Sequence, residues 1–132
     1  MGLDMYLRIE NLDNPEADDD EIATWRKHGD LNAWFERLWL TKYMPEETTR
    51  TIKFGDDYFD VSAFNVEKVY LDLEDLQELF DDLIAQSLPV ATGPFQTANA
   101  SNLDRLAYDL EAVSRACVEV ILGKKVYYIC WW

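Results

Sequence analysis

The sequence contains few of the residues from which most catalytic and metal sites are built. One histidine and two cysteines occur among its 132 residues. Zinc sites and Cys–His nucleophile pairs need several such side chains at defined spacings. Cys117 and Cys130 stand among apolar residues, as buried thiols usually do. We therefore expect no metal, no cofactor and no catalytic residue, and two reduced thiols in a cytoplasmic protein.

Long apolar runs are also missing. No stretch approaches the roughly 20 apolar residues that cross a bilayer. Asp4 and Arg8 interrupt the first residues, which therefore do not resemble a signal peptide. A glycine-rich phosphate loop is absent as well, since Thr92-Gly93-Pro94 is typical of a turn. We expect one soluble domain spanning residues 1–132.

Basic residues are scarce relative to acidic ones. Twelve Lys and Arg oppose 26 Asp and Glu, which gives a formal net charge of −14. Seven acids lie between Glu10 and Glu21 and six between Asp72 and Asp82, and neither segment contains a base. Such a surface repels nucleic acid and anionic membranes and attracts basic proteins. Because 48% of the residues are hydrophobic, the chain is too apolar for a disordered acidic tail.

The first half of the chain combines strand and helix patterns. Residues 3–9 alternate apolar and polar side chains, which predicts a half-buried strand. Residues 10–20 have the composition of an exposed acidic loop. A helix is expected from Glu21 to about Leu40, with a bend favoured at Gly29. Its expected core-facing residues are Trp25, Leu31, Trp34, Phe35, Leu38 and Trp39.

Residues 54–58 are typical of a turn between two short strands, and residues 69–71 favour another strand. Asp72 is expected to cap a second helix that reaches about Ser87, with Asp75 as its third residue.

The last third is expected to hold a loop, a helix and a strand. Residues 87–102 contain Pro and Gly among small polar residues, which predicts a loop. Ser101 or Asn102 would cap a third helix that ends at Gly123, before a closing strand over residues 126–132. The buried stripe predicted for that helix is Leu103, Leu106, Leu110, Val113, Cys117, Val120 and Ile121. The predicted class is α+β, with about three helices packed on a small, mainly antiparallel sheet.

The second helix carries an uninterrupted acidic stripe on a helical wheel. Its carboxylates fill an arc of about 120° opposite the apolar face. Over about 12 Å of axis they supply roughly one charge per 2.4 Å, close to the ~1.7 Å per charge of duplex DNA. The stripe either imitates DNA or is the ordinary solvated face of an amphipathic helix. Its members are Glu74, Asp75, Glu78, Asp81 and Asp82.

The opening Met-Gly-Leu-Asp-Met-Tyr-Leu, residues 1–7, resembles the start of a family of small uncharacterised phage and bacterial proteins. The likeness continues through residues 21–27 and Trp34-Phe35. Where those proteins often carry a His, this chain has Asn32, so a site built on that His is absent here. Some members bear a phosphoglycerate kinase label, which the short chain and the missing phosphate loop contradict. The resemblance implies a phage or prophage setting and no activity.

Three further features of the sequence bear on possible chemistry. His28 is expected at the surface or in a capping role rather than in catalysis. Residues 13–21 lack the alternating spacing and the glycine of a calcium loop. Of the terminal Trp131 and Trp132, one ring is expected in the core, and the other is a candidate partner anchor.

The leading hypothesis is a non-enzymatic, phage-encoded protein whose acidic surface inhibits a basic, nucleic-acid-handling host protein. Direct binding to nucleic acid or membrane is not expected. The alternative is a small enzyme or small-molecule binder that uses the loop over residues 87–102. A deep pocket lined by His28 and several acids would favour this alternative. A third possibility is a structural or oligomerising protein that is acidic for solubility. The predicted partner-binding residues are Asp18, Asp19, Asp20, Glu74, Asp75, Glu78, Asp81 and Asp82.

Overall fold

Six strands and three helices occur in residues 2–14, 16–91 and 103–132, the parts of the chain that the computed structural model describes. The predicted α+β class is confirmed. Among these residues, no helix is both long enough and apolar enough to cross a membrane. In chain order the elements are β1 (Asp4–Ile9), β2 (Asp20–Arg26), α1 (Gly29–Tyr43), β3 (Thr49–Phe54), β4 (Asp57–Ser62), β5 (Val69–Leu71), α2 (Leu73–Ile84), α3 (Leu103–Ile121) and β6 (Val126–Trp131).

Four strands form an antiparallel sheet in the order β2-β1-β6-β5. The central strands are β1 and β6, which place Met5 opposite Cys130 and Leu7 opposite Tyr128. Leu3, Met5 and Leu7 are buried, whereas the residues between them are partly exposed. One face of the sheet therefore points into the core, as the alternation in the first strand predicted.

The helices pack on this buried face. Phe35 of α1 stacks on Tyr128 of β6 with ring centroids 3.8 Å apart. The Tyr128 hydroxyl donates a 2.5 Å hydrogen bond to Oδ1 of the buried Asn32, so Asn32 has a structural partner. α3 lies beside β2 and β1, and α2 packs against α3. The fully buried residues of α2 are Leu76, Leu79 and Leu83.

β3 and β4 form a separate antiparallel hairpin. Phe54 pairs with Asp57 across the turn, and Gly55 has a φ of +66°. Glycine adopts this left-handed conformation without the strain that a Cβ would cause. The predicted turn between two short strands is confirmed.

The predicted helix start at Glu21 is wrong, because this segment forms β2. Leu7 pairs with Ala23 and Arg8 pairs with Glu21, so Ile22 is an extra residue in β2. This β-bulge buries both Ile22 and Ala23. Two adjacent buried residues break the two-residue period of a strand and imitate helical spacing.

The helix instead begins at Gly29, after the chain has turned at Lys27 with a φ of 57°. Trp25 is buried as predicted, but it enters the core from β2. The other five predicted core residues lie on α1 and are buried or partly buried: Leu31, Trp34, Phe35, Leu38 and Trp39.

The predicted N-terminus of α2 is confirmed. The Asp72 side chain accepts a 2.8 Å hydrogen bond from the Asp75 backbone N–H, and the Asp75 side chain accepts a 3.1 Å bond from the Asp72 N–H. This reciprocal capping box satisfies two backbone donors that the helix leaves unpaired. α2 ends at Ile84, slightly before the predicted Ser87.

The predicted helix end near Gly123 is also confirmed, since α3 stops at Ile121 and Gly123 has a φ of +87°. Leu103 and Ile121 were predicted in the buried stripe but are 75% and 69% exposed. They occupy the two ends of α3, beyond the packed part of the helix. The predicted caps at residues 101–102 and most of the predicted loop lie outside the described residues.

Replacing the cap residue tests this account of α2. Asp72→Ala is expected to lower the free energy of unfolding by about 1 kcal/mol, because α2 loses its N-cap acceptor. Urea denaturation followed by circular dichroism measures the change. Glu74→Ala is the matched control, since it removes an exposed carboxylate from the same turn without removing a cap. Equal unfolding midpoints for the two variants would show that the cap does not stabilise α2.

Candidate functional site

The eight acids predicted to bind a partner lie on α2, on the connection between β1 and β2, and at the first residue of β2. Within the described residues, five of them are exposed and have no ion-pair partner. These five are Asp18, Asp20, Glu74, Glu78 and Asp81. The other three form contacts inside the protein, so the surface open to a partner is smaller than the sequence suggests.

Asp75 and Asp82 attach α2 to α1. The Asp75 carboxylate lies 2.6 Å from Nζ of Lys42, and Asp82 accepts a 2.8 Å hydrogen bond from Nε1 of Trp34. Both carboxyl groups are partly buried. The exposed stripe of α2 therefore consists of Glu74, Glu78 and Asp81, which we call the α2 stripe.

Asp19 also binds inward. The Tyr127 hydroxyl and the Asn11 backbone N–H donate hydrogen bonds to its carboxylate. These bonds, led by the one from Tyr127, lower the pKa of Asp19. Burial, together with the bond to Asp19, raises the pKa of Tyr127 to about 12. Asp19 thus fastens the acidic connection to β6, while Asp18 and Asp20 remain exposed beside it.

The acidic connection and the start of α2 lie at the same end of the sheet. Ile9 pairs with both Asp20 and Val126, and Val126 pairs with Leu71, the residue before Asp72. Three strand spacings separate β2 from β5, a width of about 14 Å. The two acidic segments are therefore close enough to contact one partner.

A second candidate site is buried between β2, the start of α1 and α3. The Asp109 carboxylate accepts a 2.6 Å hydrogen bond from Nε1 of Trp25, and its other oxygen lies 2.7 Å from Nε2 of His28. Trp25, His28 and Asp109 are 8%, 4% and 3% exposed. A hydrogen on Nε2 would let the imidazole donate to this carboxylate oxygen. Nδ1 is also buried and has no hydrogen-bond partner among the described residues.

This pair lines a cavity of about 230 Å³. Asp30, Gln86 and Arg105 add polar groups to its wall. The apolar lining consists of Leu83, Leu88, Val90, Leu103 and Leu106. A deep pocket lined by His28 and several acids would favour the small-molecule hypothesis, and this cavity has the expected lining, although most of the loop over residues 87–102 lies outside the described residues.

The surface or capping role predicted for His28 is wrong. His28 occupies the N-cap position of α1, but it is buried and its side chain makes no capping hydrogen bond. The chain turns sharply just before it, which directs the imidazole toward α3 rather than to solvent.

Asp109 was not among the predicted site residues, although its position in the sequence carries a signal. Asp109 lies three residues after Leu106 and four before Val113, within the apolar stripe of α3. Spacings of three and four residues place side chains on one helix face. An acid inside such a stripe is a candidate for a buried polar contact.

The described residues of this site form hydrogen bonds with one another. A carboxylate that orients an imidazole is the arrangement of a general base, but the described lining residues include no serine, threonine or cysteine nucleophile. Burial raises the pKa of Cys130 to about 12 and also raises that of Cys117. Among the described residues, no three His, Cys, Asp or Glu side chains converge as a metal site would require.

No protein-family model, curated protein or solved structure matches the chain. The likeness of residues 1–7 to small phage and bacterial proteins stays a prediction. Inference about function therefore depends on the residues of this chain alone.

Removing the buried carboxylate tests the second site. Asp109→Ala is expected to lower the free energy of unfolding by about 3 kcal/mol, because two buried donors lose their acceptor. Asp109→Asn keeps one acceptor oxygen and should fall between this variant and the wild type. Urea denaturation measures all three proteins, with Glu111→Ala on the exposed side of α3 as control. If Asp109→Ala lowered the free energy of unfolding no more than Glu111→Ala, the hydrogen bonds to Asp109 would not stabilise the fold.

The lowered pKa of Asp19 makes part of the stability pH-dependent. A carboxyl whose pKa is lower in the folded state stabilises the fold above its unfolded pKa, and this contribution is lost as pH falls through the folded value. Tyr127→Phe removes the largest cause of the shift. The variant should be less stable than the wild type near neutral pH, with a difference that shrinks in acid.

Urea denaturation at a series of pH values, together with an NMR titration of the Asp19 carboxyl, measures this effect. Tyr6→Phe, on the partly exposed face of β1, is the control for loss of a phenol. A stability difference for Tyr127→Phe that did not change with pH would contradict the assigned cause.

Proposed function

We propose that the chain is a non-enzymatic binding protein whose acidic exterior engages a basic, nucleic-acid-handling host protein and inhibits it by occupying the surface that binds DNA. The observation that carries the proposal is the α2 stripe: three exposed carboxylates with no cation partner among the described residues. The resemblance to phage proteins favours action in the host cytoplasm, for example against a defence complex.

The α2 stripe has three carboxylates and therefore supports a narrower imitation of DNA than the stripe of five carboxylates predicted from the sequence. Glu74, Glu78 and Asp81 lie within an arc of about 60° and span about 10 Å of helix axis. Neighbouring charges are therefore about 5 Å apart along the axis, wider than the roughly 3.4 Å per charge of a single DNA strand and much wider than the ~1.7 Å per charge of a duplex. A groove that grips one phosphate backbone is therefore a closer fit than one that encloses a duplex.

Asp18 and Asp20 add to this surface at a distance. Their charges act on a partner within about one Debye length, which is about 8 Å at physiological ionic strength. Long-range attraction of this kind raises the association rate more than it raises the final affinity. Binding should accordingly weaken as salt is added.

A charge-reversal variant tests the proposal. Glu74, Glu78 and Asp81 are changed together to Lys, and Asp82 is retained because it holds Trp34. Tagged protein is used to capture proteins from host lysate at low and high salt, and duplex DNA is then added as competitor. The wild type should retain a basic protein at low salt and release it to high salt or DNA, and the variant should retain none.

The matched control reverses three exposed acids elsewhere, Glu47, Asp56 and Asp57, and so changes the net charge equally. It should capture the partner nearly as well as the wild type. Capture by the α2 variant, or equal loss in both variants, would overturn the role of the α2 stripe. If the wild type captured nothing and gained stability steeply in molar salt, acidity for solubility would replace the proposal.

A further inference from the structure

We propose that the groove between α2 and α3 is a docking site for a basic amphipathic helix of the partner protein. The groove has a volume of about 300 Å³ and shares Asp81 with the α2 stripe. The inference rests on the proposed function for the positive charge of the partner, and it adds the element by which that partner is held. The residues that line the groove are Gln77, Phe80, Asp81, Ser114 and Cys117.

The first argument is apolar surface that the fold leaves uncovered along the two helices. Ile84 of α2 is 57% exposed, and Val118 and Ile121 of α3 are 54% and 69% exposed. Phe80 and Cys117, which line the groove, are only partly buried. Apolar side chains exposed singly are common, whereas a contiguous apolar patch rimmed by polar residues marks an interaction site.

The second argument is the direction and length of this surface. Ile84 and Ile121 each lie four residues after a lining residue, which places them on the groove side of their helices. β5, which leads into α2, pairs with the start of β6, which follows α3, so the two helices run antiparallel. The isoleucines therefore lie toward opposite ends of the groove. About three turns of α2 accommodate the i to i+7 anchors of a docked helix, which span about two turns.

The third argument is charge, which selects the occupant. On a helical wheel the α2 stripe occupies the arc next to Phe80 and Ile84, so the apolar surface has an acidic rim. A second copy of this chain would bring its own α2 stripe to the groove, and the like charges would repel. Nucleic acid and anionic membranes are repelled for the same reason. A helix with lysine or arginine beside an apolar face has the complementary pattern.

The experiment uses two synthetic peptides of leucine and lysine as probes. In the first, the leucines recur at i, i+3, i+4 and i+7, and in the second the same residues are reordered so that no apolar face forms. Fluorescence anisotropy measures the affinity of the full chain for each peptide. The first should bind at least about tenfold more tightly, because only that peptide places an apolar face in the groove. Equal affinities would overturn the docking site.

A double variant locates the preference. Ile84→Gln with Ile121→Gln removes exposed apolar side chains beside the groove and leaves the net charge unchanged. It should bind the two peptides with equal affinity. Leu12→Gln with Phe54→Gln makes the same change at exposed positions elsewhere and should keep the tenfold preference. Circular dichroism checks that both variants keep their fold, and an undiminished preference in the groove variant would overturn the proposal.

Amide spectra of ¹⁵N-labelled protein locate the bound peptide directly. The amphipathic peptide should shift resonances on α2 and α3 around Phe80 and Cys117. Shifts confined to the acidic connection between β1 and β2 would overturn the docking site. The peptides replace the host protein, so a failed capture from lysate contradicts the proposed host target, whereas a missing peptide preference contradicts only the docked helix.

Discussion

The packing of β2, the start of α1 and α3 depends on the buried carboxylate of Asp109, which accepts hydrogen bonds from the first two. A carboxyl group buried among apolar side chains is tolerated only when hydrogen bonds compensate for its lost hydration. Here the donors come from β2 and from the residue that precedes α1, while the carboxylate itself projects from α3. Both donors reach one carboxylate only because the chain turns at Lys27, between Trp25 and His28. The turn that ends the edge strand, the start of α1 and the rotation of α3 about its axis are therefore interdependent.

The distribution of charge also follows from the cost of removing a charged group from water. Three lysines pair with partly buried acids: Lys42 with Asp75, Lys68 with Glu10, and Lys124 with Glu119. The most exposed carboxylates are left to water, which solvates them at little cost. The net charge of −14 is thus concentrated on the exterior. The number of exposed charges does not distinguish a binding surface from a surface that only keeps the protein in solution. The arrangement of those charges does.

Local patterns predicted much of the fold, and contacts distant in sequence account for the errors. The first strand, the capped second helix, the hairpin and the closing strand each follow from a signal contained within a few residues. β2 was misassigned because a bulge is defined by the partner strand, which a local period does not include. The His28–Asp109 contact joins residues 81 positions apart, so no spacing rule brings them together. Asp75 and Asp82 were assigned to the surface for the same reason, since their partners lie on α1.

These two acids nevertheless explain why the α2 stripe faces outward. Asp75 and Asp82 are seven residues apart, which places them on the same side of α2 about two turns from each other. Their contacts with Lys42 and Trp34 hold that side against α1 at two points, and two points fix the rotation of a helix about its axis. The same rotation directs Leu83 into the cavity and leaves the α2 stripe in solvent. If all five acids of α2 were exposed, hydrophobic packing alone would set the rotation of the helix. Because the contacts of Asp75 and Asp82 fix this rotation, the three acids of the α2 stripe point in a defined direction.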